Sequence, residues 1–257
     1  MRYAQYTTGL FGEIHMKTRA REGGFTLVEI AIVLVIIGLL LGGILKGQEL
    51  ITSARVRNLA DQGAAVQAAY YGFVDRYRAI PGDMQADRAC AAIGSNVWGT
   101  CPANPGGNGN SNIENFDEAS AVWAHLSGAR FLQGSYPGTA ADVTAYITSA
   151  TPTQAPTNPW NGVLLLARTG EYLNETGTPP ARLHLILGRN IPVEVMRELD
   201  VKIDDSQPGT GVLRAPGTAT TFGTVGQEST PSCVTAGTPD IWNITGSSVD
   251  CNGYYLF

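Results

Sequence analysis

The chain has 257 residues, a formal charge of −5 and only 15% charged residues, with 31 glycines and four cysteines. This balance argues against a primary nucleic-acid-binding role, which needs clustered cations, and the length allows one large domain or two small ones. Beyond residue 80, Ser, Thr, Asn and Pro are frequent, which favours a loop-rich, β-containing domain over a helical bundle.

Residues 1–15 contain Gly9 and Gly12 and read as unstructured. Met16 then opens a short basic segment with Lys17, Arg19 and Arg21 that ends in Gly23-Gly24, and Met16 is the expected true start of the chain. From Phe25 to Leu45 run 21 residues with a single charge, Glu29. At ~1.5 Å rise per residue this is roughly 30 Å of helix, enough to span a bilayer core. The positive charges ahead of it predict a cytoplasmic N-terminus, with residues 46–257 on the far side of the membrane. A secretory signal would have a shorter apolar region followed by its small-residue cleavage site. Here the small pair precedes the apolar run, so a cut would remove a basic leader and leave the helix attached, with a new amino group on Phe25. Removing residues 1–24 takes the formal charge from −5 to −7. Glu29 stands out, because an acid within a membrane span costs a few kcal/mol unless it is paired.

Gly24-Phe25-Thr26-Leu27-Val28-Glu29 resembles the cleavage and methylation motif of type IV pilins and type II secretion pseudopilins. The resemblance implies cleavage between Gly24 and Phe25 by a membrane aspartyl prepilin peptidase and N-methylation of Phe25. It further implies that Glu29 pairs with the Phe25 amine of a neighbouring subunit and draws it into register in a filament. The competing reading of the same residues is a plain signal-anchor helix in which Glu29 is incidental.

The apolar run gives way to an amphipathic stretch without a turn signal. Leu50, Ile51, Ala54, Leu59, Val66, Ala69, Phe73, Val74 and Tyr77 form a helical stripe, and no proline occurs between Phe25 and Ile80. One helix from about 25 to about 78 is therefore predicted, its second half lying on a globular head. Gly38, Gly42, Gly43 and Gly47 could weaken the first half or permit close helix packing. Pro81-Gly82-Asp83 ends the helix. The string Tyr77–Met84, with the later Trp98-Gly99 and Gly106–Asn112, also resembles a subset of pilin-like proteins. Counted from Gly106, Asn108, Asn110, Asn112 and Asp117 fall at calcium-loop spacings, but the first position lacks a carboxylate and the sixth is Ser111. An Asn/Gly turn leading into a helix is the plainer reading.

Asn115–Leu132 carries apolar residues at helical spacing, with His125 expected on the polar side. Residues 135–160 read as loop. Val163–Arg168 and Arg182–Leu187 read as antiparallel strands, with His184 expected on the sheet's outer face. Pro192 starts a short helix to about Leu199. Asp200–Asp205 then reads as a turn whose acids could hold a cation, a solvated turn being the plainer reading. Val212–Ala215 is a further strand candidate.

Cys90, Cys101, Cys233 and Cys251 allow three pairings. Cys90–Cys101 with Cys233–Cys251 is favoured because each pair closes a short loop; free buried thiols are the alternative. No nucleophile elbow, phosphate loop, dinucleotide fingerprint or metal-spaced histidine set is present, so no enzyme activity and no cofactor are expected. The expected fold is α+β and pilin-like: a leader to residue 24, a membrane or filament-core helix at 25–45, its amphipathic continuation at 46–80, and a head at 81–257 with the helix packed on an antiparallel sheet. The expected role is structural, in a type IV pilus or pilin-like filament, or as a pseudopilin or minor pilin of a secretion or DNA-uptake system. The expected partners are copies of itself or related pilins, prepilin peptidase and an inner-membrane assembly platform, with a periplasmic or cell-surface location after assembly. The rival is a signal-anchored extracytoplasmic binding domain or enzyme that does not polymerise.

Overall fold

The computed structural model describes residues 25–94, 106–139, 142–147, 154–217, 221–222, 225 and 232–257. Gly24, Trp98, Gly99 and Cys101, together with the basic segment from Met16, lie outside the described residues. The chain divides into two units, Met1–Gln48 and Glu49–Phe257.

Helix α1 (Leu27–Tyr77) runs unbroken through both stretches of sequence. Gly38, Gly42, Gly43 and Gly47 do not interrupt it, and a Cβ at any of them would meet nothing within 4 Å. The glycines are thus compatible with a continuous helix and leave its flank open. Beyond Gln48, α1 buries Val56, Leu59, Gly63, Val66, Ala69, Tyr70 and Phe73. Each lies three or four positions from another of the set, which keeps them on one face. The predicted stripe is corrected at its start: Leu50, Ile51 and Ala54 are exposed, and burial begins at Val56. Leu50 and Ile51 continue the apolar run of the first half, and hydrophobicity alone could not separate that run from the packing face.

The head's main sheet has the order β1-β2-β6-β3, all antiparallel. Its strands are β1 (Leu165–Thr169), β2 (Arg182–Ile186), β3 (Leu213–Arg214) and β6 (Tyr254–Leu256). A separate hairpin pairs β4 (Val234–Thr235) with β5 (Ile241–Trp242). Register sets Leu166 beside Leu185 and Leu185 beside Tyr255, one row across the sheet. The Tyr255 ring lies against Gly63 of α1, where an added Cβ would sit 3.6 Å from the ring. That is ordinary van der Waals contact, so the helix and the sheet are closely packed at this point.

Adjacent positions point to the opposite face. His184, in register with Ala167 and Leu256, belongs to that second face. The expectation that this face is open is wrong: His184 is fully buried, its ring 6.0 Å from that of Tyr172 and 4.9 Å from that of Tyr254. Strand periodicity assigns a residue to a face but does not say what later chain covers it.

Helix α2 (Ala86–Ile93) follows the Pro81-Gly82 turn. Helix α3 (Phe116–Gly128) begins at Asn115, whose side chain accepts a hydrogen bond from the Glu118 amide. His125 is a second correction. It is fully buried, its Nδ1 accepts from the Gly82 amide at 2.9 Å, and its ring stacks on Phe73. Every residue from Glu118 to Leu126 is buried, so α3 has no polar face on which a histidine could sit. The stretch expected to be loop at 135–160 contains a short helix, α4 (Val143–Ile147). Its Tyr146 hydroxyl accepts from the Trp123 indole at 2.7 Å and donates to the Leu164 carbonyl at 2.6 Å, joining α4, α3 and the lead-in to β1. Helix α5 (Val193–Ile203) is longer than predicted, and Asp200 lies inside it, buried rather than in a solvated turn. The Asp200 indole partner, Trp242, comes from β5 far along the chain.

Candidate functional site: the N-terminal segment

The segment Phe25–Glu29 is organised by one local device. Thr26 immediately precedes α1, and its hydroxyl accepts from the Glu29 amide at 3.3 Å. The Glu29 carboxylate reaches back and accepts from both the Thr26 amide and the Thr26 hydroxyl, each at 2.8 Å. Threonine before the helix with glutamate three residues on is a capping box, which satisfies amide donors that a helix start would otherwise leave unmet. Glu29 is therefore not simply an isolated acid, as its place in the sequence suggests. It accepts all its hydrogen bonds on Oε2, and among the described residues Oε1 has no partner.

Phe25 itself is 83% exposed, and no residue from Phe25 to Lys46 is buried. Among the described residues, α1 is the one helix long and apolar enough to cross a membrane, by length and composition. An exposed apolar surface of this size is not stable in water and must be covered by lipid or by other apolar helices.

Residues 19–45 match the family model described as the prokaryotic N-terminal methylation motif, which is typical of type IV pilins and pseudopilins. The chain carries a prepilin-type N-terminus. The matched stretch covers Phe25 and Glu29 and ends where the apolar run ends. It marks a prepilin-processed, pilin-like protein, and the helix-on-sheet head has the α+β layout expected for one. No curated protein and no solved structure matches the chain.

The other residues singled out in this pilin-like chain fall in the head. The loop with Asn108, Asn110 and Asn112 is held by a residue that spacing did not reveal. Asp83, almost fully buried, accepts from the amides of Gly109, Asn110 and Ser111 at 2.8, 3.0 and 2.7 Å. Asn108 and Asn110 turn their side-chain oxygens onto the amides two residues ahead. The amide groups of Asn110 and Asn112 donate to Glu114. Asp117 is exposed in the first turn of α3. The loop's polar groups thus largely serve its own backbone, and Asp83 ties it to the end of α1.

Cys233 and Cys251 form a disulfide, closing a separation of 18 residues. Cys90 is also disulfide-bonded, and its expected partner, Cys101, lies outside the described residues. Beside Cys251, Asp250 takes the Arg189 guanidinium and accepts from the Asn190 amide at 3.0 Å. Arg189 and Asp250 lie 61 residues apart, a contact that no local motif announces.

Proposed function

We infer that the chain is a structural subunit of a type IV pilus or pilin-like filament, cut between Gly24 and Phe25, methylated on the new Phe25 amine and assembled through Phe25–Leu45. The observation that carries this reading is the methylation-motif match on an apolar helix whose residues are all exposed. Such a helix has two suitable environments, the bilayer before assembly and the company of like helices after it. The basic residues ahead of the span favour a cytoplasmic N-terminus, so the head would lie outside the inner membrane and the disulfides would form in an oxidising space. The open flanks at Gly38, Gly42, Gly43 and Gly47 suit close approach by a neighbouring helix.

Co-expression with a prepilin peptidase tests the reading. The expected product has lost residues 1–24 and carries one methyl group on Phe25, as read by intact-mass spectrometry. A mass that stays the same with and without the peptidase would leave only the signal-anchored alternative.

A further inference from the structure

The acids at the end of α5 have a geometry that the pilin reading does not use. Asp200, Asp204 and Asp205 each direct a carboxylate oxygen to one place, and these oxygens all lie within 4.8 Å of one another. Two oxygens on one ion at about 2.4 Å lie at most about 4.8 Å apart, so each pair of these acids is close enough to share an ion.

Asp200 supplies the second observation. Its residue is 0% exposed, its Oδ2 accepts from Trp242 Nε1 at 2.6 Å, and its Oδ1 is buried with no hydrogen-bond partner among the described residues. A buried carboxylate oxygen without a donor is costly, and two further carboxylates beside it add repulsion. The site also lies at the C-terminus of α5, where the helix dipole opposes negative charge and favours a cation. The nearby Lys202 does not supply that cation, because its ammonium is engaged by Glu198 at 2.6 Å. The following loop shapes the other two acids. Asp204 Oδ2 accepts from the amides of Val212 and Leu213, and Asp205 accepts from the Gln207 amide and the Thr210 hydroxyl.

We propose that Asp200, Asp204 and Asp205 form a calcium site that fastens the 204–213 loop to α5. The donors are all hard carboxylate oxygens, which select Ca²⁺ or Mg²⁺ over softer metals. The irregular three-acid arrangement at a helix end suits the flexible coordination of Ca²⁺ better than the strict octahedron of Mg²⁺. Through Trp242 the ion also braces the hairpin β4–β5, which is part of the loop closed by Cys233–Cys251.

The test uses the full chain purified in detergent, with calcium chloride added after EDTA treatment. The melting temperature is expected to rise by about 5–10 °C when free calcium reaches a hundredfold excess over Kd. Isothermal titration is expected to give one site per chain. Asp205→Asn, at an exposed position, is expected to fold and to lose the calcium response. Asp200→Asn keeps a side-chain oxygen for Trp242 and is expected to melt higher than wild type in EDTA while also losing the response. No calcium-dependent shift in the wild-type chain overturns the proposal. So does an undiminished shift in both variants, which would place the bound calcium elsewhere, or a shift given equally by magnesium.

Discussion

His184 shows how a single residue in the head can be read from its surroundings. The Arg182 carbonyl, 2.9 Å from Nδ1, can only accept, so Nδ1 carries the proton and Nε2 is left as a buried acceptor. Burial pushes the imidazole pKa down to about 4; the Arg182 carbonyl and the charge of Glu171 offset only part of that. The other groups at the ring are the phenols of Tyr172 and Tyr254, and burial raises both of their pKa values. In the unfolded chain the imidazole titrates near 6.5, so between roughly pH 6.5 and 4 the unfolded state binds the proton more tightly. His184 therefore costs the fold no stability above that window and destabilises it progressively as the pH falls through it. By pH 4.5 the loss is about 2–3 kcal/mol. His184→Leu, which cannot take up a proton, is expected to lose that much less stability than wild type between pH 7 and 4.5, measured by urea midpoints. Equal losses in the two proteins would show that the site accommodates the charged ring.

At the scale of elements, the second half of α1 is held to the head by a stripe whose phase can be tested. Leu59 is 1% exposed and Leu50 is 62% exposed. Leu59→Ala should destabilise the fold by about 2–5 kcal/mol. Leu50→Ala, read by the same urea midpoint in detergent, should change it by less than about 0.5 kcal/mol. Similar effects at the two positions would mean that the stripe begins earlier than Val56. The long helix, α3 and the pairing of β1 with β2 were legible in the sequence because each rests on a local period or a cap. The exposed character of Leu50 was not, since it depends on where the head ends. Strands β4, β5 and β6 are two or three residues long and carry no period of their own. Tyr254–Leu256 becomes a central strand only by lying between β2 and β3. The same limit explains His125, His184 and Asp200, whose burial is set by distant chain. The motif from Gly24 to Glu29 was legible because the chemistry it implies is written in adjacent residues. Its capping box is equally local, resting on Thr26 and Glu29 three positions apart.

At the scale of the whole molecule, the proposed assembly gives Glu29 two separable tasks. One lies within the chain: its carboxylate caps the start of α1 through Thr26. The other lies between chains, where an anionic carboxylate in apolar surroundings would pair with the methylated amine of a neighbouring Phe25 and avoid a desolvation cost of a few kcal/mol. Glutamine can close a capping box but carries no charge. Glu29→Gln therefore keeps the first task and removes the second, whereas Glu29→Ala removes both. If charge pairing drives recruitment, both variants should be cleaved normally, keep the melting temperature of the head and yield at least about tenfold fewer filaments by electron microscopy, equivalent to ~1.4 kcal/mol or more per subunit added. If the cap alone matters, Glu29→Gln should assemble like wild type while Glu29→Ala fails, and the pairing model falls. Normal filaments from both variants would leave the exposed apolar face of Phe25–Leu45 as the sole driver of assembly.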